Sequence, residues 1–206
     1  MSNSQPRAST SPATQPPTPT TTPSAGQAPH RPVGPDRPRI TGAVGVSEVE
    51  ASVLERTGLP RVDYVDHFTL APIAATSPTP TAEQWARALF GDVPSLGERF
   101  IWQGVLQLRL ANGRSPLTVA GWRIAEISDD AGAGEGWIRL ETESWALRAS
   151  LVIHTDGESV SLTTALQYDR PIGSVVWPPL SAVHRRLIPS LFHPAAAQLA
   201  SGQSGA

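Results

Sequence analysis

Residues 137–168 read WIRLETESWALRASLVIHTDGESVSLTTALQY, and their periodicity decides the fold. Ile138, Leu140 and Thr142 share one parity, and Arg139, Glu141 and Glu143 the other. Leu147, Ala149, Leu151 and Ile153 then alternate with Arg148, Ser150 and His154. After Asp156-Gly157, Val160, Leu162, Thr164, Leu166 and Tyr168 alternate with Ser159, Ser161, Thr163 and Gln167. A strand turns successive side chains to opposite faces, so period two means strands with one covered and one wetter face. Asp-Gly between two such runs is a hairpin signal. The segment therefore predicts antiparallel strands.

Upstream, Trp122, Ile124 and Glu126 alternate with Arg123, Ala125 and Ile127, and DDAGAGEG at 129–136 reads as a turn. Residues 62–70, VDYVDHFTL, are β-branched and aromatic enough for a first strand. Val62, Tyr64, Asp66, Phe68 and Leu70 share its one parity. About five strands are expected in all. Two short helices should follow the first strand. Thr81 with Gln84 spaces as a capping box before Trp85, Leu89 and Phe90. Ser95 with Glu98 opens a helix carrying Leu96, Phe100, Ile101, Val105 and Leu108, ending near Asn112-Gly113.

After a turn at 169–173, helical spacing returns. Trp177, Leu180, His184, Leu187, Ile188 and Leu191 form one stripe. Prolines suit a first helical turn, so continuous helix is expected from about Pro178-Pro179, with a kink at Pro189. A sheet with one apolar face must bury it. The expected architecture is α+β, a curved antiparallel sheet packed on a C-terminal helix, with a pocket between them.

The N-terminal part is different. Ten of the 21 prolines lie in the first 40 residues, and Pro, Ser and Thr make 21 of those 40. Such composition does not offset the chain entropy lost on folding. Residues 1–60 are expected to be a disordered tail with a short helix at 47–57, capped by Ser47 and Glu50 and stopped by Gly58-Leu59-Pro60. The folded domain is expected at 61–199, with 200–206 frayed.

Composition excludes several classes. The chain has no Cys, so thiol nucleophiles, disulfides and thiolate metal sites are out. No apolar run is long enough to span a membrane. All 16 basic residues are Arg, a bias that fits a high-GC bacterial genome. The formal charge is −2, and no basic stripe suggests nucleic-acid binding. The start carries no basic and apolar secretory pattern, so a cytoplasmic location is expected. The oligomeric state is not legible.

His184 is the leading chemical candidate, because it shares the helical stripe of Trp177 and should face the sheet. It reads as a polar group in the pocket able to donate to a ligand or act as an acid or base. The plainer alternative is a core histidine bonded to a strand hydroxyl or backbone. His67 and His154 lie on strands. His67 follows Asp66, and neighbours on a strand point apart, so those two form no local pair. No metal site is expected from five His without paired spacing, and no cofactor. Trp102 and Trp177, on helices flanking the sheet, are candidate pocket walls, with Tyr168 and an Arg as further polar contacts.

VDYVDHFTL at 62–70, AEQWARALF at 82–90, VAGWRIAEISDD at 119–130, and Trp177 leading into SAVHRRLIP at 181–189 together resemble the DUF2867 family. The best single marker is a Trp followed seven residues later by His-Arg. The resemblance spans roughly residues 62–195. It implies a helix-grip fold of the Bet v 1/START-like (SRPBCC) superfamily, which has seven strands rather than five. It also implies a hydrophobic small molecule held between sheet and C-terminal helix. A cyclase- or dehydratase-type enzyme using His184 is the alternative. A third reading is an interaction module recruiting partners through the Pro/Thr-rich tail.

Overall fold

The computed structural model describes residues 37–91, 106–111, 113–130 and 135–202. Seven strands form one antiparallel sheet: β1 (Arg39–Val44), β2 (Tyr64–Ala71), β3 (Thr118–Val119), β4 (Trp122–Asp130), β5 (Glu135–Glu143), β6 (Leu147–Thr155) and β7 (Val160–Tyr168). Their order across the sheet is β1-β2-β7-β6-β5-β4-β3. Among the described residues three helices accompany them: α1 (Ala51–Arg56), α2 (Ala82–Phe90) and α3 (Pro171–Gly202).

The alternation seen in sequence sorts the two faces. Val160, Leu162 and Leu166 of β7 join Leu147, Leu151 and Ile153 of β6 in the main core. Ile138 and Leu140 of β5 continue it, and Trp177, Ile188 and Phe192 of α3 close it. The opposite parity, with Ser161 and Thr163, faces the other way. There α1 covers a small second core of Val49, Val65 and Ala165.

Two of the seven strands are additions to the expected five. β1 pairs with β2 from Arg39 opposite Ala71 to Val44 opposite Asp66. The unit containing the sheet begins at Pro35, so the sheet draws on residues placed by sequence in the tail, ahead of 61. Its signal is weak because RITGAV has little alternation and contains Gly42. The Phe68 ring of β2 lies over that glycine, 2.7 Å from where a Cβ would stand. β3 has two residues, too few for a periodicity. It turns into β4 at Ala120 and Gly121, both at positive φ (48° and 81°), as a two-residue hairpin turn of the primed type requires. The supposed turn at 129–136 also shortens, since Asp129 and Asp130 pair with Gly136 and Glu135.

Helix ends follow local chemistry unevenly. The Thr81 box forms: Gln84 N–H donates to Thr81 Oγ1 at 3.2 Å, and Thr81 N–H donates to Gln84 Oε1 at 2.9 Å. The Ser47 box does not. Glu50 takes the N-cap position of α1 without a side-chain cap, and Ser47 donates to Glu48 instead. Of the second helix expected after β2, residues 92–105 lie outside the described residues. Its last part, 106–111, is irregular rather than helical, with Gln107 at positive φ (53°). Leu106, Leu108 and Leu110 repeat at period two, and the Arg109 N–H donates to the Glu143 carbonyl at 2.9 Å. Pairing beside β5 overrides the helical spacing.

α3 begins at Pro171, earlier than Pro178. Pro171 sits in the first turn, where a missing N–H breaks no bond. Pro178, Pro179, Pro189 and Pro194 lie inside the helix. Each lacks a donor and is unfavourable in isolation. Burial of Trp177, Ser181, Ile188, Phe192 and Ala195 along one stripe outweighs that intrinsic penalty. No described helix is long and apolar enough to cross a membrane.

Candidate functional site

Between the sheet and α3 the described residues bound a cavity of about 460 Å³. Ala149, Leu151 and Leu166 form its floor, Trp177, Leu180 and Ile188 its roof. Leu89 and Phe90 of α2, with Leu106 and Leu108, close one side. Val183 and Leu187, about half exposed at 48% and 50%, also line it and so lie near solvent. The volume falls within the roughly 300–1,000 Å³ range of small-molecule sites. Thr164 and His184, which share a hydrogen bond, and Ser190 interrupt the apolar wall.

Behind Thr164 and His184 lies Asp66. The β2 parity that buries Phe68 and Leu70 also turns Tyr64 and Asp66 towards α3, and Asp66 is 0% exposed. His184 Nε2 lies 3.0 Å from Thr164 Oγ1 and 3.3 Å from Asp66 Oδ2. The Tyr64 hydroxyl donates to the same Oδ2 at 2.5 Å. Asp66 Oδ1 is buried without a hydrogen-bond partner among the described residues. The hydrogen bond of His184 Nε2 is to Thr164, and Asp66 Oδ2 stands close to the same nitrogen. Nδ1 has no partner among the described residues. Burial first, and the Asp66 charge second, raise the Tyr64 pKa well above the ordinary phenol value, so the phenol stays a donor. Trp177 stacks the cluster together, its ring centroid 5.4 Å from His184 and 5.2 Å from Tyr64, edge-on to the latter.

The structure thus brings Trp177 and His184 to one cavity, as their shared stripe anticipated. The plainer alternative for His184, a bond to a strand hydroxyl, is also present in Thr164; Asp66 adds an ionisable partner to it. Sequence reasoning alone does not find Asp66, because its chain neighbour His67 points to the other face. Its parity with Tyr64, Phe68 and Leu70 was the available signal. Tyr168 stands at the end of β7, where its carbonyl accepts from Arg61 at 2.6 Å and its ring packs near Gly173. It does not line the cavity, and no Arg is among the lining residues described. Trp102 lies outside the described residues.

His67 and His154 face the other side of the sheet, in a polar hollow of about 430 Å³ beside α1. His67 Nδ1 meets Thr163 Oγ1 at 2.8 Å, and its Nε2 meets Thr69 Oγ1 at 3.1 Å. His154 Nε2 lies 3.9 Å from Glu135. Burial is the main cause lowering both imidazole pKa values; His154 adds to the effect on His67, and Arg56 to that on His154. Among the described residues no group of three or more His, Asp or Glu could hold a metal ion.

Comparison with known proteins found no matching family model, no similar curated protein and no similar solved structure.

Proposed function

We propose that this domain binds a hydrophobic small molecule carrying one neutral polar group, held between the sheet and α3. The apolar cavity of about 460 Å³ carries the reading. Burying an apolar ligand there supplies the affinity, at roughly 25 cal/mol per Å² of surface removed from water. Trp177 is the apolar wall nearest the polar end. His184 and Thr164 orient the ligand through hydrogen bonds. The seven-stranded antiparallel sheet with a C-terminal helix is compatible with a helix-grip assignment. The hollow interior favours binding over a role as an interaction module, which needs an exposed apolar patch over a filled core.

Native mass spectrometry of the purified full chain tests the reading, alongside titration with the fluorescent probe 1-anilinonaphthalene-8-sulfonate. The expected result is a retained small molecule, or saturable probe binding that Trp177→Ala weakens. Neither retention nor saturable binding would overturn it.

A further inference from the structure

We infer that the hollow beside α1, on the face of the sheet opposite the apolar cavity, is a second binding site, and that it takes a neutral polyhydroxyl compound of the sugar class. It rests on other residues than the binding reading above and stands or falls separately from it.

Strand register sets the floor of the hollow. Thr69 of β2, Ser161 of β7 and His154 of β6 stand side by side across the sheet, and His67, Thr163 and Val152 form the next row. Opposed residues carry their Cβ atoms about 4.5–5.5 Å apart, so five hydrogen-bonding side chains gather in two adjacent rows. Two of them lie deep, Ser161 at 7% exposure and Thr163 at 1%. Where α1 packs on this same face, the covered strand residues are apolar, Val65 and Ala165 among them. A sealed floor needs no hydrogen-bonding groups, and burying them without partners costs free energy.

The hydrogen bonds leave capacity for a ligand. His67 Nδ1 meets the Thr163 hydroxyl and its Nε2 meets the Thr69 hydroxyl. Burial keeps the ring neutral at pH 7, so one nitrogen donates and the other accepts. Whichever tautomer holds, one threonine accepts from the ring and keeps its own hydrogen. The other threonine gives its hydrogen to the ring and keeps its remaining lone pair. The trio therefore offers one donor and one acceptor in either case. Ser161 adds a hydroxyl that makes no side-chain hydrogen bond among the described residues. Groups that both give and take hydrogen bonds fit this set, as the neighbouring hydroxyls of a sugar do.

The charge balance selects against ions. Glu48, Glu50 and Glu135, all exposed, stand at the rim against Arg56, which disfavours phosphates and carboxylates. The floor is uncharged, so a cation seated on it would lose water without gaining a partner charge. Val49, Val53 and Val152 supply an apolar patch for the C–H face of a sugar ring. The volume of about 430 Å³ lies in the range of small-molecule sites.

The test uses the full chain and saturation-transfer NMR with four neutral probes, glucose, maltose, trehalose and myo-inositol. Glucose 6-phosphate and glucosamine serve as charged counterparts, and titration gives each Kd. At least one neutral probe should bind saturably, and glucose 6-phosphate should bind at least about tenfold more weakly. Ser161→Ala should weaken the neutral probe roughly fivefold. Thr163→Val, close in shape, should do the same, and Ser161→Leu should abolish binding by filling the hollow. Binding of 1-anilinonaphthalene-8-sulfonate, assigned to the opposite face, should be unchanged in all three variants, which also reports that they fold. Absence of binding by every neutral probe would overturn the inference, as would binding by a charged counterpart alone. Equal affinity in wild type and a folded Ser161→Leu would overturn the location.

Discussion

His184 Nε2 lies 3.3 Å from Oδ2 of Asp66, joining the last helix to the second strand through a carboxylate that is 0% exposed. Tyr64 donates to that same oxygen. A hydrogen bond to a charged group is worth about 1.5–3 kcal/mol. Tyr64→Phe should therefore lower unfolding stability by about that amount, read as a shift of the urea midpoint. Combined with Asp66→Ala, which removes the acceptor, the losses should be less than additive, since both changes remove one bond. An unchanged midpoint in Tyr64→Phe would mean that the bond carries no net stability.

The cavity can be filled from its floor. Ala149 is 2% exposed and lines it. Ala149→Leu should lower the affinity for 1-anilinonaphthalene-8-sulfonate at least about tenfold, while stability changes by less than about 3 kcal/mol. Affinity equal to wild type, measured by fluorescence titration, would place the ligand elsewhere.

Stability should respond to pH through the opposite face. His67 and His154 both have folded pKa values below the ordinary imidazole value of 6.5, mainly because burial disfavours the charge. Above that value both are neutral, folded or unfolded, and their contribution is intact. As pH falls through it, the unfolded chain takes up protons first, so stability declines until the folded values are passed. Denaturation midpoints measured above the carboxylate range should fall with decreasing pH. A His67→Gln, His154→Gln double variant should flatten that dependence; an unaltered slope would assign it to other groups.

The docking of β1 depends on a glycine. A Cβ at Gly42 would stand 2.7 Å from the Phe68 ring. Gly42→Val should displace that ring, costing roughly 1–3 kcal/mol as overpacking does. Hydrogen exchange at the amides of Arg39–Val44 should rise more than exchange in β6 and β7. Uniform exchange across the sheet would show that β1 docks without this contact.

Parts of this architecture are local in origin and others are not. The strands β5, β6 and β7 were legible because apolar residues recur in each at every second position, although only β5 alternates in burial and β7 is buried on both faces. The Thr81–Gln84 cap was legible because it closes within four residues. The Ser47 box has the same spacing, yet it fails, because Glu50 rather than Ser47 becomes the cap. Leu106 and Leu108 fit either a helix or an irregular segment, and only their neighbour β5 selects between them. The start of α3 at Pro171 reflects packing of Trp177 and Gly173 on the sheet, which no proline rule includes.

Trp177 and His184 were recognisable as partners because one helix sets their spacing. Tyr64 and Asp66 of β2 and Thr164 of β7 were not, because they meet His184 only when β2 pairs with β7 beneath α3. Periodicity reports which way a side chain points from its own backbone. It carries no information on what the chain brings opposite, and the chemistry at His184 is set by that opposite face.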